Sequence, residues 1–193
     1  MPVQIGARSP DFSDPTALMS DCHRRIEIFL GTLVAVSRLE GGPLDSEQTR
    51  ALEAALKYFR EAGPKHTADE EVSLFPRLRT MAAEEVRTAL AQVEDLEQDH
   101  RRAERLHAQV ESLGQNWLRD RHLSRKDAQQ FSSAVADLAS IYGKHIEIED
   151  KEIFPVASRV LSNEMKEEIG KEMASRRSVA PRDDSSQVAP TAL

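Results

Sequence analysis

The spacing His-x-x-x-Glu recurs along the chain, as His23/Glu27, His66/Glu70, His100/Glu104 and His145/Glu149, with His107/Glu111 a further match. Residues four apart lie on the same side of an α-helix, about one turn apart. Each copy therefore directs an imidazole and a carboxylate toward a common point. Four such pairs brought together make a pocket rich in nitrogen and oxygen, the donors of borderline and hard metal ions. An ionised carboxylate buried without a partner costs several kcal/mol, and a pair of dications is the simplest compensation for so many. Cys22 is the only cysteine, so no intramolecular disulfide and no thiolate-rich zinc or iron–sulfur site can form. The donor set suits two iron or manganese ions bridged by carboxylates, with zinc as a substitute. Composition does not separate iron from manganese.

These pairs need helices to position them. Asp14 followed by Pro15 starts the first helix, whose inward stripe runs Leu18, His23, Ile26, Leu30, Leu33 and Ser37 until Gly41-Gly42-Pro43 stops it. Asp45 with Gln48 reads as a capping box opening the second helix, with the stripe Leu52, Leu56, Phe59, Gly63, His66, Glu70 and Ser73. Gly63-Pro64 predicts a kink or break just before His66. A third helix begins between Thr80 and Val86 and turns Val93, Leu96, His100, Ala103, Glu104, His107, Val110 and Trp117 inward. Ser124 caps a fourth, with Phe131, Val135, Leu138, Tyr142, His145, Glu149 and Ile153 on its stripe. Ser162 caps a short fifth helix from Asn163 to about Ala174. The expected organisation is a flexible segment over residues 1–13, a domain over 14–174, and a tail over 175–193 rich in Ser, Pro and charge, read as disordered.

The chain also repeats itself. His23 and His100 are 77 residues apart, and His66 and His145 are 79 apart. A duplicated two-helix unit predicts an all-α, antiparallel up-down-up-down four-helix bundle with pseudo-twofold symmetry. Heights counted from the turns test whether the histidines meet. His23 lies 17 residues before Glu40, His66 lies 21 after Asp45, His100 lies 20 before Asp120, and His145 lies 21 after Ser124. At 1.5 Å per residue the four fall in one layer about 6 Å thick.

Composition excludes other classes. With 39% hydrophobic and 31% charged residues the chain reads as a soluble helical protein. A net charge of −7 leaves no basic stripe for nucleic acid. The longest apolar run, Phe29 to Val36, is far too short to span a membrane. Residues 1–13 lack a secretory pattern, so the cytoplasm is the default expectation. Of the other polar residues, His107 reads as a core or edge histidine, His122 and Tyr58 as a solvated and a packing residue, and Cys22 as a small buried thiol. Tyr142, on the His145 face, is either packing or a hydrogen-bonding or redox-active phenol. Glu71, Glu147 and Asp150 fall off the His–Glu face, and the Arg pairs after His23 and His100 either pair with them across the bundle end or are solvated.

Two copies continue into the same ending, His66-Thr-Ala-Asp-Glu70 through Leu74-Phe75-Pro76 and His145-Ile-Glu-Ile-Glu149 through Ile153-Phe154-Pro155. Two others share His-Arg-Arg-x-Glu, at 23–27 and 100–104. With His23 and His100, the two extended motifs resemble the hemerythrin-like family, also called the HHE cation-binding domain, over about residues 14–160. The resemblance implies a non-haem di-iron centre, oxo- or carboxylate-bridged, with Glu70 and Glu149 as the bridges. It implies ligands of small size: dioxygen, nitric oxide or peroxide. Family members also include iron-homeostasis and iron–sulfur repair proteins, and whether the chain is an enzyme acting on peroxide or nitric oxide stays open. A repair or iron-donor role would work through a protein partner, whose identity the resemblance leaves open. One departure stands out. Oxygen carriers of this family resemble His-x-x-x-His on the third helix, where this chain has Glu104, mirrored by Glu27 on the first. Either these two glutamates ligate metal, favouring redox chemistry over reversible carriage, or they accept hydrogen bonds beside it.

Overall fold

The computed structural model describes residues 12–178, so the expectations for residues 1–11 and 179–193 lie outside the described residues. The described chain is all-helical. Its long helices are α1 (Pro15–Ser37), α2 (Ser46–Glu61), α5 (Glu84–Asp120) and α6 (Arg125–Ile148). The cap residues behave as their chemistry requires. Asp14 accepts from the Ala17 N–H, Asp45 forms a reciprocal capping box with Gln48, and Ser124 accepts from Asp127. Between α1 and α2 the chain turns through Gly41 at φ +79°, where a Cβ would stand 2.9 Å from that of Ala128; only glycine suits both conditions. The Gly41 carbonyl accepts from Leu123 in the opposite turn, and Trp117 Nε1 donates to Gly42 at 2.8 Å.

The expected break falls where Gly63-Pro64 predicts it. α2 ends at Glu61, and a short α3 (Gly63–Ala68) follows with Pro64 in its first turn. Beyond the sequence expectations, α3 passes into one widened π-helical stretch, Asp69–Leu74, and α6 into another, Glu149–Ile153. Each is followed by a helix with proline in its first turn, α4 (Phe75–Arg79) and α7 (Phe154–Val160). The cause is local. Proline has no N–H and its ring clashes with the carbonyl four residues back, here that of Val72 or Lys151. The N–H groups of Phe75 and Phe154 instead reach back five residues, to the carbonyls of Glu70 and Glu149. The repeated Phe-Pro endings are thus what shape the two helix segments bearing the central glutamates.

Around the core, α1 packs on α2 and α6, and α5 packs on the same two. α1 and α5 cross from one apolar cluster to another, and α2 and α6 reach the second through the segments that follow them. One contains Ile26, Leu56, Phe59, Trp117, Phe131 and Leu138; the other contains Met19, Phe75, Val93, Leu96, Ile153 and Phe154. Burying each such side chain contributes about 1.5–3 kcal/mol. The histidines lie between the two clusters. α8 (Asn163–Arg176), capped by Ser162, closes the second cluster with Ile169 and Met173. It runs two residues beyond the expected end at Ala174, because Arg176 and the following Arg177 are held by Asp69 rather than by solvent. Among the described residues no helix is long and apolar enough to cross a membrane.

Candidate metal centre

The four histidines expected in one layer do converge. His23 and His66 stand edge to face with ring centroids 4.9 Å apart, and His100 and His145 are 4.5 Å apart. Glu70 and Glu149 lie among them, both 0% exposed. Glu70 Oε1 is 3.1 Å from His66 Nε2 and 3.9 Å from His23 Nε2, while Glu70 Oε2 is 3.3 Å from His100 Nε2. Glu149 Oε2 is 3.1 Å from His23 Nε2 and 3.2 Å from His145 Nε2. Two donor groups result, His23–His66–Glu70–Glu149 and Glu70–His100–His145–Glu149, each with its ligand atoms within 4.8 Å of one another. Two atoms that bind one ion at about 2.0–2.2 Å lie at most about 4.4 Å apart, so each group would need to contract only slightly around a cation. Both glutamates belong to both groups, and the two oxygens of Glu70 face different ones.

The polar atoms fit that reading. His23 Nε2 and all four carboxylate oxygens of Glu70 and Glu149 are buried without a hydrogen-bond partner, as are Nδ1 of His66 and of His145. Native interiors rarely tolerate so many orphaned lone pairs, least of all on ionised carboxylates. The nitrogens and oxygens approach one another without hydrogen-bond geometry, as donors converging on a third atom do.

Carboxylates behind the rings fix the tautomers. His23 Nδ1 is 2.9 Å from Asp150, which also accepts from Ser20 and Arg24, and His100 Nδ1 is 2.8 Å from Glu71. A carboxylate at Nδ1 holds the proton there, turns the Nε2 lone pair toward the site and makes the nitrogen a better metal donor. The expected pairing of Arg24 with an acid near the motifs is thereby met. Asp99, which sequence reasoning missed, faces His145 Nδ1 at 3.7 Å, beyond hydrogen-bond reach. Electrostatics follow from the same contacts. Burial opposes charge on His23 and His100, but Glu149 and Glu70 outweigh it, raising His23 and lifting His100 to about 9. His66 falls to about 4, mainly through burial, with the neighbouring imidazoles adding to it. Burial pushes Glu149 up, yet His145 and His23 hold it below the usual carboxylate range.

Two candidate ligands do not join the site. Glu27 is 49% exposed and pairs with Arg24 at 2.9 Å; Glu104 is exposed on α5. Neither belongs to either donor group. On both helices the buried arc lies to one side of the histidine, so the residue four places on rotates into solvent. Replacing Glu27 or Glu104 by alanine is therefore expected to leave metal content unchanged and stability within about 0.5 kcal/mol, measured by elemental analysis and thermal melts. Loss of an ion from either variant would restore that residue as a ligand.

The remaining singled-out residues take mixed roles. His107 stacks on Phe59 at 4.3 Å between centroids and shares a 2.9 Å hydrogen bond with the Tyr142 hydroxyl. Burial lowers His107 to about 4 and raises the Tyr142 phenol. Cys22 is 7% exposed, its thiol pushed up chiefly by burial, as for an inert packing residue. His122 bonds only the Asp120 carbonyl, at the surface.

Comparison with known proteins agrees with this geometry. The chain is 28% identical over 174 residues to an uncharacterized protein of Haemophilus influenzae, covering 87% of this chain and 92% of that protein. The hemerythrin HHE cation binding domain matches residues 14–157, which span all six converging side chains. The chain belongs to the hemerythrin HHE cation-binding family.

Proposed function

We propose that the chain is a cytoplasmic non-haem di-iron protein, its four long helices arranged up-down-up-down, that binds or senses dioxygen, nitric oxide or peroxide. The observation that carries this reading is the sharing of Glu70 and Glu149 between two donor groups, with Glu70 Oε1 turned to one and Oε2 to the other. Shared carboxylates with four imidazoles and no thiolate suit a pair of iron ions, and manganese or zinc as substitutes. When bound, the pair would supply redox-active Lewis acidity toward a small ligand. The residues position it: His23, His66, Glu70 and Glu149 would hold one ion, and His100, His145 and the same two glutamates the other.

Size supports a small ligand. A void of about 10 Å³ is walled by His23, His66, His100, His145 and Tyr142, and a water-sized probe needs about 10–15 Å³. Glu27 and Glu104 would favour redox turnover only by adding negative charge at the metals. With both outside the donor groups, binding or sensing is favoured over turnover of peroxide or nitric oxide. Anaerobic loading with ferrous iron is expected to give about two ions per chain, and oxidation should give the near-ultraviolet charge-transfer bands of a bridged diferric pair. A stoichiometry of about one or below, without those bands, would refute the di-iron reading.

A further inference from the structure

A second, larger cavity of about 440 Å³ opens beside the histidines, between α2–α3 and α5. It shares Gly63, Thr67, His100 and Tyr142 with the small void at the donor groups, so one wall separates the two spaces. A diatomic gas needs nothing of this size, whereas 300–1,000 Å³ is the range of pockets that enclose small organic molecules. The lining is chiefly apolar, with Leu56, Phe59 and Val110 among its walls. Phe59 stacks on His107, with Tyr142 6.3 Å from Phe59 and 5.8 Å from His107 between centroids. The polar groups in this aromatic wall are the Tyr142 hydroxyl and His107 imidazole, linked to each other. At the mouth Arg60 is neutralised by Glu111 at 2.5 Å, and Arg101 and Glu104 bring opposite charges. With Glu71 held by His100 at 2.8 Å, the lining presents charges of both signs and no cluster of one sign to a ligand.

We propose that this cavity binds a small uncharged aromatic molecule bearing a hydroxyl or carbonyl group, seated against Phe59 with its oxygen at the Tyr142–His107 pair. The molecule's polar end would then lie one side chain, His100 or Tyr142, from the donor groups. The functional part of the proposal, delivery of an organic ligand to the neighbourhood of the metals, rests on the di-iron reading; the binding itself does not.

The probe is 2-naphthol, titrated by its own fluorescence into the full chain with and without iron. Saturable one-to-one binding with a Kd below about 1 mM is expected. Ala108 lies on the exposed rim of the cavity, and A108W fills the mouth. Binding should weaken at least tenfold in A108W, while iron content and helical circular dichroism stay unchanged. Y142F removes one hydrogen-bonding hydroxyl and should weaken binding about threefold to tenfold. No saturation up to the solubility limit, or equal affinity in wild type, A108W and Y142F, would overturn the proposal. Iron content is read separately, so a chain that binds naphthol but takes up no iron defeats the di-iron reading alone.

Discussion

Replacing Glu70 by alanine is expected to remove both metal ions, whereas replacing His66 removes one. Glu70 stands in both donor groups and faces each with a different oxygen; His66 stands in one. Removing a residue that merely orients a ligand weakens metal affinity about 10- to 100-fold, and losing a shared ligand should exceed that for both ions. Elemental analysis after anaerobic iron loading and dialysis would read near zero for Glu70→Ala and near half the wild-type content for His66→Ala. Retention of one ion by Glu70→Ala would show that the carboxylate is not shared. The fold should survive. In the metal-free chain Glu70 is fully buried among His66, His23 and His100 with neither oxygen in hydrogen-bond geometry, so no hydrogen bond is lost with it and the apolar clusters on either side stay intact. The metal-free variant should keep its helical circular dichroism and a cooperative melt. Added iron should raise the melting temperature of the wild type, because it binds only the folded state, and leave the variant unmoved.

The same comparison of four pairs shows what could be read in the sequence. Spacing and height sufficed for the histidines, because turns and a 1.5 Å rise leave little freedom in where a helical residue sits. The glutamates needed the phase of the apolar stripe. A step of four rotates by about +40° and a step of three by about −60°. Around His23 the buried neighbours are Met19, Cys22, Ile26 and Leu30, and around His100 they are Leu96, Ala103 and Val110. These lie on the negative side, so Glu27 and Glu104 rotate out. Phe131, Leu138 and Ile146 lie on the positive side of His145, so Glu149 falls inside the buried arc; at His66 the break at Gly63-Pro64 and the π-helical stretch interrupt the phase, and Glu70 is buried by the fold that follows them. Glu27 and Glu104 stay open on spacing alone, as ligands or as hydrogen-bond acceptors, and the phase of the stripe is what separates them from Glu149. The π-helical stretches were foreshadowed by Phe-Pro inside helical periodicity, a signal that fits an ordinary kink equally well. Asp69 had no such signal. It is 0% exposed beside a ligand, and its partners stand 107 and 108 residues away in a segment whose composition reads as a tail.

Those partners set the largest expected stability effect. Arg176 Nη1 and Arg177 Nη2 donate to the two oxygens of Asp69 at 2.9 and 2.5 Å, and Arg176 also reaches Ser73 at 2.7 Å. Burial pushes Asp69 above the usual carboxylate range even though both arginines pull it down. A carboxyl raised on folding destabilises the folded state while ionised, and the penalty fades as pH falls through its raised value. Removing the arginines leaves the cost of burying the Asp69 carboxylate without its opposition. Arg176→Ala with Arg177→Ala should therefore lose about 3–5 kcal/mol at neutral pH. Asp69→Asn should change stability by about 1 kcal/mol or less, because the arginines, 20% and 19% exposed, can turn to water. Urea unfolding of metal-free protein reads both, since a slope of about 1–3 kcal/mol per molar turns the larger loss into a midpoint shift of at least about 1 M. Adding Asp69→Asn to the double arginine variant should recover much of the loss, as interacting residues in a mutant cycle do. Lowering the pH should shrink the arginine effect, because a protonated Asp69 no longer needs a cation. Strictly additive losses, or an arginine effect that grows in acid, would show that α8 is held by its apolar face alone and that Asp69 does not anchor the segment presenting Glu70.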